Sequence, residues 1–232
     1  MHTDRYQLGS TSASPVRRRD GHEERLCSNG RARFCPSGGV TRGYRFQGRL
    51  RTGRIRRVWT RPASADDWAG IWPIWHGQVS TGDLLVWRPD TSEADAQKLW
   101  MLPPPAVVLV MEDDGGDGRI VASAQIAPAQ AGLGDHVAQL IFIVDPAHAA
   151  EGLEREIAQA AIEHATELGY RAMQSTAVVA GNTRMVAIWR VLAFRVIGTL
   201  PSAFRHPRSG EVDLYVMHRF LPYKTYHPRR TD

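Results

Sequence analysis

The sequence has little cysteine, and both cysteines lie near its beginning. Cys27 and Cys35 are the only two among 232 residues. Together with His22 they match no zinc-binding spacing, so we predict no metal site and no disulfide framework. Apolar runs are short as well. None approaches the roughly 18 residues of a membrane span, and the three arginines at 17–19 are not followed by the apolar stretch of a secretion signal. We therefore expect a cytoplasmic protein with no membrane partner.

Lysine is nearly absent, and the abundant arginine is unevenly distributed. Residues 1–61 contain fifteen arginines and four acidic residues, a net charge of +11. Residues 62–232 contain fourteen basic and twenty acidic residues, a net charge of −6, so the whole chain carries +5. The basic character therefore belongs to the beginning of the chain. It does not predict nucleic-acid binding by the remainder.

Residues 1–55 show no sustained helical or strand period and are rich in Gly, Ser and Arg. Such a composition disfavours a packed core, so we predict a basic, disordered extension. Between residues 31 and 57, arginines alternate with Gly, Tyr44 and Phe46, which loosely resembles a disordered RNA-binding tail. We favour an appendage without that role. At the other end, residues 223–232 are predicted to be a flexible tail.

From residue 56 to 222 the pattern changes to alternating strands and helices. Residues 58–61 predict a short strand, and Ser64 is placed to begin a helix. Trp68, Trp72 and Trp75 then fall on one face of that helix. Three tryptophans at this spacing indicate a core-facing stripe rather than a binding site.

The later elements follow the same alternation. Residues 91–93 cap a second helix that ends near Trp100, before three prolines. The remaining predictions are strands over 106–111, 119–126, 136–144 and 172–179, a helix from Leu153 ended by Gly169, a helix capped by Asn182, and a final antiparallel pair, 194–200 and 212–220, joined by a long loop. The order β-α-α-β-β-β-α-β-α-β-β predicts one α/β domain with a mixed sheet and helices on both faces.

Two stretches and this element order resemble the GNAT N-acetyltransferase superfamily. The first is Val144-Asp145-Pro146 followed by a loop and a helix from Gly152, similar to the acyl-CoA motif V-x-P-x-x-R-G-x-G-x-G. The second, residues 182–194, is similar to the motif N-x-x-A-x-x-x-Y/W-x-x-L-G-F. Residues 132–138 and 203–208 further resemble a subfamily that includes the azetidine-carboxylate-type acetyltransferases. The resemblance implies a GNAT-like acyl-CoA N-acyltransferase fold over residues 56–222.

The resemblance also implies acetyl-CoA as co-substrate. In this family the pantetheine arm lies along a strand that splays from its neighbour, and the pyrophosphate lies at a helix N-terminus, where N–H groups and the helix dipole favour anions. An N–H near Ile143 or Val144 would polarise the thioester carbonyl. The residues that the resemblance assigns to acetyl-CoA are Ile143, Val144, Ala149, Ala150, Gly152, Leu153, Glu154, Asn182 and Trp189.

The phosphate loop departs from the family pattern. Ala149 replaces the arginine, and Ala150 and Glu154 replace glycines. At about 6 Å, Glu151 and Glu154 would each repel a phosphate charge by roughly 0.7–3 kcal/mol, against about −8 kcal/mol for micromolar binding. Arg155 is a candidate to offset this repulsion.

Catalytic residues are harder to assign. The strand that often carries a glutamate base in this family has no carboxylate after Asp135, so Asp135 and His136 are the candidate bases. Trp189 occupies the position of the usual tyrosine acid, and its indole N–H can only hydrogen-bond the sulfur. Candidate substrate-binding residues are Gln139 and Thr176 on the strands, and Arg205 and His206 in the predicted last loop, where cations suit a carboxylate.

These observations favour an N-acetyltransferase that transfers the acetyl group of acetyl-CoA to an amine of a small molecule or an amino-acid-like substrate. The alternative is a catalytically impaired pseudoenzyme of the same fold that binds a ligand or a partner. It depends on the altered phosphate loop and on the missing acid and base. A homodimer is compatible with either hypothesis.

Overall fold

A computed structural model of the protein describes residues 25–26, 32–34, 43–49, 55–113, 118–148 and 151–222, with side chains from Val58 onward. Ala149, Ala150, the predicted tail and most of the predicted extension lie outside these residues. The four helices are α1 (Trp68–Ser80), α2 (Glu93–Trp100), α3 (Leu153–Glu167) and α4 (Thr183–Val191). The ten strands are β1 (Arg25–Leu26), β2 (Ala32–Phe34), β3 (Gly43–Arg49), β4 (Ile55–Pro62), β5 (Val107–Asp113), β6 (Ile120–Pro128), β7 (Val137–Val144), β8 (Ala172–Val179), β9 (Arg195–His206) and β10 (Gly210–Phe220).

Side-chain caps fix the starts of two helices where the sequence predicts them. The Ser92 hydroxyl accepts the Asp95 N–H at 3.2 Å and begins α2. The Asn182 Oδ1 accepts the Met185 N–H at 3.0 Å and begins α4. Each cap satisfies an N–H that the first turn of a helix leaves unpaired. The predicted element order is confirmed from β4 to β10.

The strands form one sheet in the order β1-β2-β3-β4-β5-β6-β7-β8-β10-β9. All neighbours pair antiparallel except β7 and β8, which are parallel. Strands β4 to β10 and the four helices make up the predicted mixed α/β domain. Strands β1 to β3 lie within the segment predicted to be disordered, and they extend the sheet beyond β4.

Helices cover both faces of the sheet, as the sequence predicts. Helices α3 and α4 pack one face around Leu140, Phe142 and Ile157. Helices α1 and α2 pack the other face, where Trp75 and Trp100 are fully buried. The predicted tryptophan stripe of α1 is therefore part of a core. No helix in the described part of the chain is long and apolar enough to cross a membrane.

The last two strands are longer than predicted. β9 continues through Pro201 to His206, and only residues 207–209 connect it to β10. The prediction of a long loop was wrong because Pro201 resembles a loop residue but lies in a strand at the edge of the sheet, where proline is tolerated. Register shifts in the β9–β10 pair absorb the irregularity.

Candidate active site

The parallel strands β7 and β8 separate shortly after they begin. They pair only at Val137–Ala172, Ala138–Met173 and Gln139–Gln174. The Gln174 side-chain amide donates to Gln139 Oε1 at 3.3 Å across the last of these pairs. Beyond it, each strand continues for five residues, 140–144 and 175–179, without pairing to the other. A cleft therefore opens between the two strands.

The backbone register of β7 determines which amides point into this cleft. The Asp145 N–H donates to the Val121 carbonyl and the Ala129 N–H donates to the Val137 carbonyl, both at 2.8 Å. Hydrogen bonds in an antiparallel pair involve alternate residues of each strand. The Ile143 N–H consequently points to β6, whereas the Val144 N–H points into the cleft.

The Val144 carbonyl also points into the cleft, and α1 provides its partner. The Gln78 Nε2 donates to this oxygen at 2.7 Å. The contact satisfies the carbonyl at the strand end from which β8 has already departed. It holds the last residue of β7 against α1.

The cleft has a volume of about 270 Å³ and mostly apolar walls. Its floor and sides come from β7, β8 and the loop that joins α1 to α2, and α3 and α4 close one end. The lining residues include Gln78, Asp83, Leu85, Trp87, Gln139, Ile141, Phe142, Val144, Glu154, Ser175, Ala177, Asn182, Arg184 and Trp189.

One end of the cleft is the N-terminus of α3. Gly152 precedes this helix with a φ of +83°, a left-handed conformation that favours glycine. Leu153, which is predicted to contact the cofactor, has its side chain packed in the core with 2% of its surface exposed, so its backbone N–H is the group left for that contact. The first turn of α3 is thus held in place by a buried leucine and a glycine-dependent turn.

A cationic side chain of α4 compensates the negative charge of Glu154. The Arg184 Nη2 donates to Glu154 Oε1 at 2.5 Å, and the Glu154 side chain is only 7% exposed. Arg155, the residue expected to provide this compensation, is exposed and does not line the cleft. Sequence neighbours alone do not indicate this pairing, because the guanidinium comes from 30 residues away.

The loop before α3 carries its own ion pairs. Asp145 accepts from Arg119 Nη2 at 2.7 Å and from the Ala147 N–H at 3.0 Å. His148 Nδ1 lies 3.3 Å from a carboxylate oxygen of Glu151. Glu151 therefore also lies close to a partner, the His148 ring.

Helix α4 contributes two of the predicted residues to the cleft. Asn182 lines it while its Oδ1 caps the helix. Trp189 is 4% exposed, and its ring lies 5.2 Å from that of Phe142 and 4.7 Å from that of Phe194. The indole is therefore held in a fixed orientation at the wall.

The cleft is also lined by a carboxylate that no sequence pattern indicated. Asp83, in the loop after α1, lines the cleft, and Arg208 Nη2 of the β9–β10 turn lies 3.5 Å from its Oδ2. A Cβ atom at Gly82 would lie 3.7 Å from Pro207 of the same turn. The two loops are thus in contact beside the cleft. Their separation in sequence explains why no local pattern indicated this pair.

Four predicted residues lie away from the cleft. Asp135 and His136 are exposed before β7, and the first β7 residue in the cleft wall is Gln139. Arg205 is 91% exposed at its side chain, and His206 Nδ1 accepts the N–H groups of Arg208 and Ser209. Both belong to the β9 end rather than a loop, so their assignment to the substrate lacks a geometric basis.

Thr176 is also not among the lining residues, whereas Ser175 and Ala177 are. Successive side chains of a strand point to opposite faces of the sheet, so Thr176 lies on the face opposite to Ser175 and Ala177.

Comparison with known proteins agrees with this geometry. A family model described as "Acetyltransferase (GNAT) family" matches residues 69–194. A solved GCN5-related N-acetyltransferase from Kribbella flavida is 40% identical, with a TM-score of 0.67 over 71% of this chain and 98% of that chain. The fold with its splayed strands is that of an acyltransferase. The chain belongs to the acetyltransferase (GNAT) family.

More distant relatives extend the comparison. A phosphinothricin acetyltransferase from Sinorhizobium meliloti, solved in complex with AcCoA, has the same fold at 19% identity, with a TM-score of 0.63 over 73% of this chain and 91% of that one. The N-acetyltransferase aca1 of Schizosaccharomyces pombe is 27% identical over 104 residues, 44% of this chain. The chain spans about half the length of that curated relative.

Proposed function

We propose that the protein transfers the acetyl group of acetyl-CoA to the amine of a small, amino-acid-like molecule, and that both substrates meet in the cleft between β7 and β8. The observation that carries this proposal is the Val144 N–H, which the register of β7 directs into the cleft. In such a reaction acetyl-CoA supplies an activated thioester, whose carbonyl oxygen gains negative charge during attack by the amine. A fixed N–H donor is the kind of group that stabilises this charge.

The residues of the cleft fit acetyl-CoA. The apolar walls formed by Phe142, Trp189 and Ala177 suit an alkyl chain, and backbone groups of β7 offer hydrogen bonds along it. Gly152 and the first N–H groups of α3 suit a phosphate. Ile143, by contrast, has its N–H directed to β6, so the donor role falls to Val144.

The acceptor amine would enter beside Asp83. Asp83 and Glu154 are the two carboxylates among the described lining residues, and both have a cationic partner. Glu154 is buried against Arg184 at 2.5 Å, whereas Asp83 is more exposed and lies 3.5 Å from Arg208. Asp83 is therefore the carboxylate that can hold the ammonium group and accept its proton, since an amine must be neutral to attack. Trp87 also lines the cleft, and aromatic rings attract cations.

Arg208 supports an acceptor that carries a carboxylate. Its guanidinium lies next to Asp83, and a zwitterion offers opposite charges to each member of this pair. Arg208 is therefore the proposed contact for the carboxylate, ahead of Arg205 and His206, because it pairs with a residue that lines the cleft. The resemblance to the azetidine-carboxylate-type acetyltransferases is consistent with such a substrate.

The pseudoenzyme alternative loses much of its basis. It depended on the altered phosphate loop, on the charges of Glu151 and Glu154, and on the missing acid and base. Arg184 pairs with Glu154, His148 lies beside Glu151, and Asp83 is a candidate base. No acid is assigned, and Ala149 lies outside the described residues.

The test is acetyl transfer from acetyl-CoA to a matched panel comprising amino acids, their amides and the corresponding decarboxylated amines. We expect turnover with the amino acids, and at least a tenfold loss of kcat/KM in Asp83→Asn with an unchanged Kd for acetyl-CoA. Asp90→Asn is the matched control, because Asp90 lies in the same loop but is exposed and paired with Arg88. No transfer to any amine would refute the proposed reaction, and a fully active Asp83→Asn would remove only the role of Asp83.

A further inference from the structure

Glu154 is an unusual residue for the start of α3. It is the second residue of the helix, its side chain is 7% exposed, and it lines the cleft. Oε1 accepts from Arg184, whereas Oε2 is buried and has no hydrogen-bond partner among the described residues. A buried carboxylate oxygen without a donor is destabilising. The fold therefore retains a costly group at the end of the cleft that faces the helix N-terminus.

Arg184 links this carboxylate to the mouth of the cleft. It lies in the first turn of α4 and lines the cleft, and its side chain remains 54% exposed. The bond to Glu154 holds its guanidinium within a hydrogen bond of a residue in the first turn of α3. A positive charge is thus fixed beside N–H groups that already favour an anion.

This arrangement matters because the preceding loop has no cation at the expected position. Ala149 stands where the family resemblance implies an arginine, and the exposed Arg155 lies outside the cleft. A guanidinium binds phosphate oxygens in a planar, directed way, and it binds best when its orientation is fixed. The Glu154–Arg184 pair provides such an orientation from a different helix.

We infer that Arg184 is a phosphate-binding residue for the pyrophosphate of acetyl-CoA, and that Glu154 is the positioning residue that orients it. The pair thereby provides the cation that the loop lacks at position 149. This inference rests on the proposed use of acetyl-CoA. Glu154 is then a part of the phosphate site instead of an obstacle to it.

Calorimetric titration of the full chain with acetyl-CoA and with S-acetylpantetheine, which lacks the pyrophosphate, tests the inference. We expect Arg184→Gln to weaken acetyl-CoA binding by about tenfold or more, the effect of losing a charge-assisted hydrogen bond. The Kd for S-acetylpantetheine should differ by less than about twofold between the unmodified protein and Arg184→Gln. Arg155→Gln is the control and should leave both affinities unchanged. An Arg184→Gln protein that binds acetyl-CoA normally would overturn the inference.

Glu154→Gln distinguishes positioning from repulsion by the sign of its effect. The substitution keeps the shape of the side chain, so folding is little affected. If Glu154 orients Arg184, the variant binds acetyl-CoA several-fold more weakly, whereas in an Arg184→Gln background the same change tightens binding because only repulsion is left. Tighter binding in both backgrounds would contradict the positioning role. Absence of acetyl-CoA binding by the unmodified protein would refute the proposed function itself, a separate outcome.

Discussion

At the end of β4, Arg61 joins two carboxylates that come from different elements. Its guanidinium donates to both oxygens of Asp67 at 2.7 and 2.8 Å, and to Glu112 of β5. Hydrogen bonding from Arg61 lowers the pKa of Asp67 from 3.8 to about 2, against an opposing effect of burial, and the Ser64 N–H adds to the lowering. The same pairing raises the pKa of Arg61. The start of α1 is therefore attached to the sheet through ionised groups.

This pairing predicts a specific loss of stability in acid. Because the pKa of Asp67 is lower in the folded protein than in the unfolded chain, its contribution is present above about pH 4 and is lost as the pH falls toward 2. Asp67→Asn should lower the free energy of unfolding at pH 7 by about 1 kcal/mol after allowance for solvent screening. The difference from the unmodified protein should disappear near pH 2. Denaturant unfolding across this pH range measures it.

The control for this experiment is the adjacent Asp66→Asn. Asp66 is exposed and no ion pair with Arg61 involves it among the described contacts. Its stability profile should follow that of the unmodified protein. Equal profiles for Asp67→Asn and Asp66→Asn would show that the Arg61 pairing does not contribute to stability.

Residues governed by local rules could be predicted from the sequence, and residues defined by distant contacts could not. Asn182 and Gly152 stand at helix starts, where capping chemistry and backbone conformation depend on a few neighbours. Asp83 depends on the approach of Arg208, and Glu154 depends on Arg184. Both pairs join segments that no periodicity connects. The role proposed for each residue therefore required three-dimensional information.

At the scale of elements, strand β7 has two sets of amides with different environments. The N–H groups of Ile141 and Ile143 point to β6, and those of Phe142 and Val144 point into the cleft. Strand β8 could have covered the second set, but it departs after Gln139. The splay thus exposes backbone donors that an ordinary sheet would pair.

Amide hydrogen exchange followed by NMR should separate these two sets. We expect acetyl-CoA to slow exchange at Phe142 and Val144. A ligand in the cleft would accept hydrogen bonds from these N–H groups or shield them from water. Exchange at Ile141 and Ile143 should change little, since the ladder to β6 already protects them. Equal slowing at all four amides would indicate general stabilisation without backbone contacts to β7. No slowing at Phe142 and Val144 would place the ligand elsewhere.

Elements with a clear pattern were predicted well. The apolar run of β8 gave its bounds, 172–179, correctly, and the caps of α2 and α4 were confirmed. Strand β9 was predicted too short because Pro201 and Ser202, which has a φ of +50°, interrupt its pattern. The structure accommodates them through the Ser202 N–H, which donates to Asp213 Oδ1 at 2.9 Å. That side chain lies on the opposite strand and could not be assigned from sequence.

The whole sheet consists of two parts with a weak connection between them. Strands β1 to β7 form one part, and β8, β10 and β9 form the other. Three parallel residue pairs join the two parts, together with the packing of α3 and α4 over the splay. A ligand in the cleft contacts both parts, so we expect its binding to stabilise the fold as one unit.

Thermal unfolding of the full chain with and without acetyl-CoA tests this expectation. Ligand at about 100 times its Kd stabilises a folded protein by about 2.7 kcal/mol, which corresponds to a rise in Tm of several degrees for a domain of this size. Because the ligand joins the two parts of the sheet, the unfolding transition should also stay single.

Adenosine 3′,5′-bisphosphate is the control ligand, since it carries phosphates but has no pantetheine arm to enter the splay. A rise in Tm with acetyl-CoA that Phe142→Ala strongly reduces would place the arm between β7 and β8. An unchanged Tm at millimolar acetyl-CoA would instead show that the cleft does not bind it.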